Sequence, residues 1–218
     1  MVKIKKSSIA RQIEDAQQLI DGALAQPEVM KELSKLGYPP KEMEQGKAKL
    51  NRVIMLESAK SNKYGLKHST GVQGNQDHAE AWSKYMHHVK SARLAFANDL
   101  GKQKRLELTE RRKRSMAEWL VQARYFYQEL QLMTDDFAAL NVTGEELAQT
   151  LAMIEAVAEA KRMRKSFAGE AQQMTQERNK ALRELNAWTR RFTKMARMAL
   201  EDKDQLLEGM GLLVRSKG

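Results

Sequence analysis

The sequence predicts an all-α protein, and three observations carry that expectation. All three prolines (Pro27, Pro39 and Pro40) lie within the first 40 residues, so the following 178 residues run without a helix-breaking ring. That stretch is rich in Ala, Leu, Met, Glu, Lys, Gln and Arg, the residues that lose least on entering a helix. Apolar residues recur at alternating spacings of three and four, while the period-two alternation of a strand is nowhere sustained.

Taken in order, the stripes place six helices. Ile9, Ile13, Ala16, Ile20 and Ala23 form one face of a helix near 8–34, and a second helix is expected near 41–63 after the two prolines. Trp82, Tyr85, Val89, Ala92 and Phe96 mark a third near 76–100. Between these two, Ser61 to Gln76 carries Gly65, Gly71 and Gly74 and reads as a long, mobile connection. Met116, Trp119, Ala123, Phe126, Leu130 and Met133 place a fourth helix near 103–134. Ser115 with Glu118 has the form of a capping box, so a start at Ser115 is the alternative. The last two helices are expected near 144–166 and 170–204, the latter along Ala181, Leu185, Trp188, Phe192, Met195 and Ala199. About three quarters of the chain is thus expected to be helical, as an antiparallel bundle of about six helices.

The chain also repeats itself. Residues from Leu33 to Met43 lie over Phe137 to Leu147 at an offset of 104, and the same offset carries Ala92–Asn98 onto Ala196–Asp202. A third version of the terminal element appears at Leu207–Leu212. In each, Gly37, Asn141 or Gly211 stands where a helix end needs a left-handed residue. The expectation is an internal duplication with pseudo-two-fold symmetry: one domain over residues 1–218, made of two similar halves near 1–102 and 103–218. Leu36 and Leu140 should then occupy equivalent buried positions. An offset of 106 would instead match Trp82 with Trp188, which leaves room for an insertion between the copies.

Composition narrows the chemistry. The absence of cysteine excludes thiol nucleophiles, thiolate metal sites and disulfides. The N-terminal residues are basic without the apolar stretch of a signal peptide, and no window suits a membrane span, so a cytoplasmic location without membrane association is expected. His68, His78, His87 and His88 cluster near Asp77 and Glu80, but no Glu stands three residues before a His as in bundle di-metal sites. No phosphate loop or nucleophile elbow is present. The acidic pair Glu145-Glu146 suits the first turn of a helix. No catalytic, cofactor or metal residues are therefore assigned, and the enzyme reading is left open but disfavoured.

The formal charge of +10 divides as +5 for residues 1–100 and +5 for residues 101–218, so neither half is a dedicated basic arm. Arg111, Arg112, Lys113 and Arg114, and the second run Lys161, Arg162, Arg164 and Lys165, are the candidates for phosphate or partner contact. A third basic group is Arg190, Arg191, Lys194 and Arg197. Tyr125 and Tyr127 flank Phe126, and at most one of the two can turn inward with it, which makes the other a partner-contact candidate. The leading expectation is a non-catalytic interaction or structural module that binds a protein or itself. The alternatives are a nucleic-acid-associated basic helical protein and a ligand-binding or enzymatic bundle.

Overall fold

The computed structural model of the chain describes residues 7–133 and 142–213, and 84% of these are helical with no strand among them. Seven α-helices follow in order: α1 (Ile9–Leu24), α2 (Pro27–Lys35), α3 (Pro40–Ala95), α4 (Leu100–Arg105), α5 (Met116–Leu130), α6 (Gly144–Ala199) and α7 (Asp204–Gly209). A 3₁₀ turn, Gln131–Met133, closes α5. Among the described residues no helix is long and apolar enough to cross a membrane.

Several boundaries differ from the sequence expectation. The first helix divides at Gln26, whose extended backbone precedes Pro27 at the start of α2, because proline disfavours the helical conformation in the residue before it. The expected connection 61–76 is helix throughout: α3 and α6 are single helices of 56 residues each. Glycine inside a helix costs only about 1 kcal/mol, and here no proline or competing cap adds to that cost. Two of these glycines allow close packing: a Cβ on Gly71 would stand 3.1 Å from the Arg164 side chain, and one on Gly74 would stand 3.2 Å from Ala160 Cβ. Gly169 also lies inside a continuous α6, so the expected break between 166 and 170 is absent.

The chain divides into two compact units, one of residues 1–63 with 169–218 and the other of residues 64–168. In unit 1, α1, α2 and the first part of α3 pack with the last part of α6 and with α7. Its core joins Leu19, Ile20 and Ala23 with Val29, Leu33, Met43, Leu185, Phe192 and Ala196. The α3 and α6 segments run antiparallel, as the pairs Glu42–Arg191 (2.9 Å) and Glu57–Arg178 (2.5 Å) show. Trp188 stacks on Phe192 with ring centroids 5.1 Å apart, and it occupies the space beside Gly46, where a Cβ would stand 2.2 Å from the indole.

In unit 2, the last part of α3 packs with α5 and the first part of α6, burying Ala81, Tyr85, Ala92, Trp119, Phe126, Leu130, Leu147 and Ile154, with Leu106 and Leu108 added from the segment after α4. Gly74 near Ala160 and His88 near Glu146 give the same antiparallel sense.

The three described left-handed residues sit at matching helix ends. Gly37 (φ 73°), Glu107 (φ 51°) and Gly211 (φ 77°) follow α2, α4 and α7. In each case the next residue's N–H reaches back to the helix: Tyr38 to Leu33, Leu108 to Gln103 and Leu212 to Leu207. Gly37 and Gly211 meet the expectation, whereas Asn141 and Leu140 lie outside the described residues. Leu36 is not buried: it caps α2 at 42% exposure, and the apolar contacts at this end belong to Leu33 and Tyr38, which the cap brings together.

Candidate interaction surface

The surface is built on the segment joining α4 to α5. α4 starts at Asp99, whose carboxylate accepts the Lys102 N–H at 2.9 Å, and it ends at the left-handed Glu107. Leu106 and Leu108 on either side of Glu107 are buried in the core of unit 2. Arg93 Nε donates to the Leu108 carbonyl at 2.9 Å, and Arg105 pairs with Glu129. α5 begins at Met116, after Ser115: the Ser115 hydroxyl bonds the Glu118 carboxylate and accepts the Glu118 N–H. The capping-box start is the one adopted, and residues 111–114 are not helical.

This changes the meaning of the first basic run. Arg111, Lys113 and Arg114 are exposed, but Arg112 is only 7% exposed. Its guanidinium donates to the Tyr85 hydroxyl at 3.0 Å and to the carbonyl of Glu107, so it fastens the segment to the core. A buried cation held by carbonyl and hydroxyl oxygens is structural. Burial raises the Tyr85 phenol above its ordinary range, and Arg112 opposes that shift. Gln122 is the second fastener: its Oε1 accepts the Lys113 N–H at 2.9 Å and its Nε2 donates to the Glu107 carboxylate at 3.2 Å.

Between this fastened segment and α5 lies a groove of about 700 Å³. Ala117, Val121 and Tyr125 supply its apolar surface, from positions one helical turn apart on α5. Val121 is 68% exposed and Tyr125 39%. Glu107, Glu110 and Glu118 line it with a single cation, Lys113. Of the two tyrosines flanking Phe126, Tyr127 is the one inside, and Tyr125 faces the groove. A second groove, of about 670 Å³ in unit 1, lies between α1 and α3 against Ile13 and Ile54, with Glu14, Asp21 and Glu57 in its lining.

The second basic run has a different setting. Lys161, Arg162, Arg164 and Lys165 are all exposed on α6, with Met163 among them at 40% exposure. Arg162 forms a two-point pair with Glu159 on its own helix. The third group is partly engaged: Arg191 pairs with Glu42, and Arg197 donates to the Leu213 carbonyl.

The histidines are placed along α3 without gathering ligands. Among the described residues no three His, Asp or Glu side chains come together to hold an ion. His88 is fully buried in unit 2, with Nδ1 2.7 Å from the Tyr127 hydroxyl and Nε2 3.2 Å from Glu146 Oε1. A carboxylate only accepts, so Nε2 carries the proton and Nδ1 accepts from Tyr127. Burial lowers the His88 pKa, and Glu146 offsets part of that shift; burial also raises Tyr127 far above an ordinary phenol. The Thr150 hydroxyl donates to the Glu146 carbonyl at 2.8 Å. His78 meets the edge of Trp119 at 4.5 Å between centroids. Sequence reasoning grouped His88 with the other histidines and missed its core position, although Tyr85, Val89 and Ala92 around it form the buried stripe of α3.

In comparisons with protein-family models, curated proteins and solved structures, nothing matches this chain.

Proposed function

We propose that the protein is a non-catalytic interaction module, built from two copies of one helical unit, whose binding face lies on α5. The observation that carries this reading is the groove along Ala117, Val121 and Tyr125: an apolar helix face left outside the core and walled by a segment that Arg112 and Gln122 hold in place. An apolar surface with a fixed polar rim is what protein partners bury. The polar groups best suited to chemistry, His88 and Tyr127, are spent on each other inside the core and line neither groove.

Duplication is supported by the elements themselves. α3 and α6 have equal length and begin and end 104 residues apart, as do α4 and α7 and the left-handed residues Glu107 and Gly211. The same offset pairs buried Tyr38 with Val142, Met43 with Leu147, Leu50 with Ile154 and Phe96 with Leu200. The capping serines Ser8 and Ser115 are 107 apart, so the correspondence shifts by three residues after the opening helix of each copy.

The test is a photo-cross-linking amino acid at position 125, with Lys104 as a control position. Discrete protein adducts from position 125, lost when Val121→Lys is added, are the expected result. Adducts to nucleic acid alone, or equal adducts from both positions, overturn the reading.

A further inference from the structure

We propose that the two halves of the sequence, residues 1–113 and 114–218, are specific binding partners for each other, joined through the linker at 111–114. The compact units do not coincide with these halves. Unit 1 takes residues 1–63 from the first half and 169–218 from the second, and unit 2 takes 64–113 and 114–168. The unit boundaries, at 63/64 and 168/169, fall inside α3 and α6, whereas an independent domain ends in an exposed linker. Residues 111–114 are such a linker: none is helical, and Arg111, Lys113 and Arg114 are exposed.

Each core is accordingly closed by both halves. In unit 1, Ile20, Val29 and Leu33 of the first half share a core with Leu185, Phe192 and Leu207 of the second. In unit 2, Ala81, Tyr85 and Leu106 share one with Trp119, Phe126 and Leu147. Burial of these faces drives the association, and the polar contacts set its register. Glu28, Glu42 and Glu57 of the first half pair with Lys203, Arg191 and Arg178 of the second. Arg52, Lys63 and Arg105 pair in the opposite sense with Glu184, Glu170 and Glu129. Two further features select the partner: Gly46 makes room for Trp188, and His88 finds Tyr127 and Glu146. A first half paired with its own copy would leave Gly46 without the indole and His88 without both hydrogen-bond partners.

The experiment places a protease site between Lys113 and Arg114 of the full chain, where the Arg112–Tyr85 bond and the Ser115 cap stay intact, and cuts the folded protein. The two fragments should travel together in size-exclusion chromatography and keep the helix content of the uncut chain by circular dichroism. Between about 1 and 100 µM the melting temperature of the cut protein should rise with concentration more steeply than that of the uncut chain, as for a bimolecular complex. In the cut protein Gly46→Ala should weaken association about tenfold or more, because its methyl meets Trp188. Gly65→Ala, whose Cβ meets nothing within 4 Å, should not weaken it. Fragments that separate while each keeps its helix content overturn the proposal, as does a cut protein no more sensitive to concentration than the uncut one. If cutting unfolds the protein, a disulfide between the halves decides. Gly74→Cys with Ala160→Cys sets it where the two Cβ atoms would stand 3.2 Å apart. Recovery of the fold in the cross-linked, cut chain supports the partnership, and failure to recover overturns it.

Discussion

The two units place different chemistry in their cores. In unit 1, Phe192 and Ile20 are fully buried, and Trp188 lies over Gly46. In unit 2, the residues that stand 104 before Phe192 and 107 after Ile20 are His88 and Tyr127, hydrogen-bonded to each other and, through His88, to Glu146. Trp188 stands 104 residues after Lys84, and Thr150 stands 104 after Gly46. The Trp188 ring fits where Gly46 presents no side chain on the facing helix, and Thr150 bonds its hydroxyl to the Glu146 carbonyl of its own helix. A buried helix face is thus filled by stacked rings in one unit and by a hydrogen-bonded polar set in the other.

The largest effect should come from removing a buried fastener in unit 2. Arg112→Gln leaves the Tyr85 hydroxyl and the Glu107 carbonyl without their charged donor, and a loss of about 3 kcal/mol is expected in urea denaturation. Replacing Arg111, Lys113 and Arg114 together by Gln should cost less than about 0.5 kcal/mol. Equal costs would mean that the core of unit 2 does not depend on that hydrogen-bonded cation. In unit 1 the matching test is Gly46→Ala. Alanine normally stabilises a helix interior, but here its methyl meets Trp188, and a loss of about 1–3 kcal/mol is expected.

A smaller effect distinguishes the cores by pH. The His88 pKa is lowered in the folded protein, so the unfolded chain binds the proton first. The stability contributed by neutral His88 is complete above the unfolded value of about 6.5 and declines as the pH falls through it toward the folded value. Besides Tyr127 and Glu146, His87 and Lys84 act on this ring. Burial lowers the pKa of His78 as well, so the double variant His88→Phe, Tyr127→Phe should reduce the slope of melting temperature between pH 7 and 5 without abolishing it. An unchanged slope would show that the polar core is indifferent to protonation. The carboxylates held low by ion pairs, such as Glu57 and Glu155, lose their contribution only at more acid pH. The smallest effect is at Gly65 in α3, where a Cβ meets nothing within 4 Å. Gly65→Ala should stabilise by about 0.5–1 kcal/mol, opposite in sign to Gly46→Ala.

The apolar stripes were legible because burial on one helix face leaves a period in the sequence: Tyr85, Val89, Ala92 and Phe96 are buried as their spacing requires. The continuity of α3 was not legible, because the permissiveness of Gly65, Gly71 and Gly74 is local, whereas the side chains of α6 that pack beside Gly71 and Gly74 come from far along the chain. Arg112 was hidden by its neighbours, since a run of four cations reads as solvated and nothing in it singles out the one whose fork meets Tyr85. Glu107 carried no signal because glutamate is a poor left-handed residue; its carbonyl is held by Arg112 and its carboxylate by Gln122, which come later in the chain. Tyr125 as the outward ring followed from helical geometry, but the acidic wall opposite it comes from a non-helical segment with no period to read.

The tryptophans are divided between the units, and only those of unit 2 lie beside a titratable ring. Trp188 belongs to unit 1, where it is 4% exposed, stacked on Phe192, and its indole N–H finds no acceptor among the described residues. Its emission should be that of an indole in a dry medium. Trp82 and Trp119 belong to unit 2, 6.0 Å apart, with the His78 ring 4.5 Å from Trp119. An imidazolium beside an excited indole quenches it, so emission from this pair should dim as His78 takes up its proton while that of Trp188 holds steady. The part of the fluorescence that changes with protonation of His78 thus reports on unit 2, without an added label.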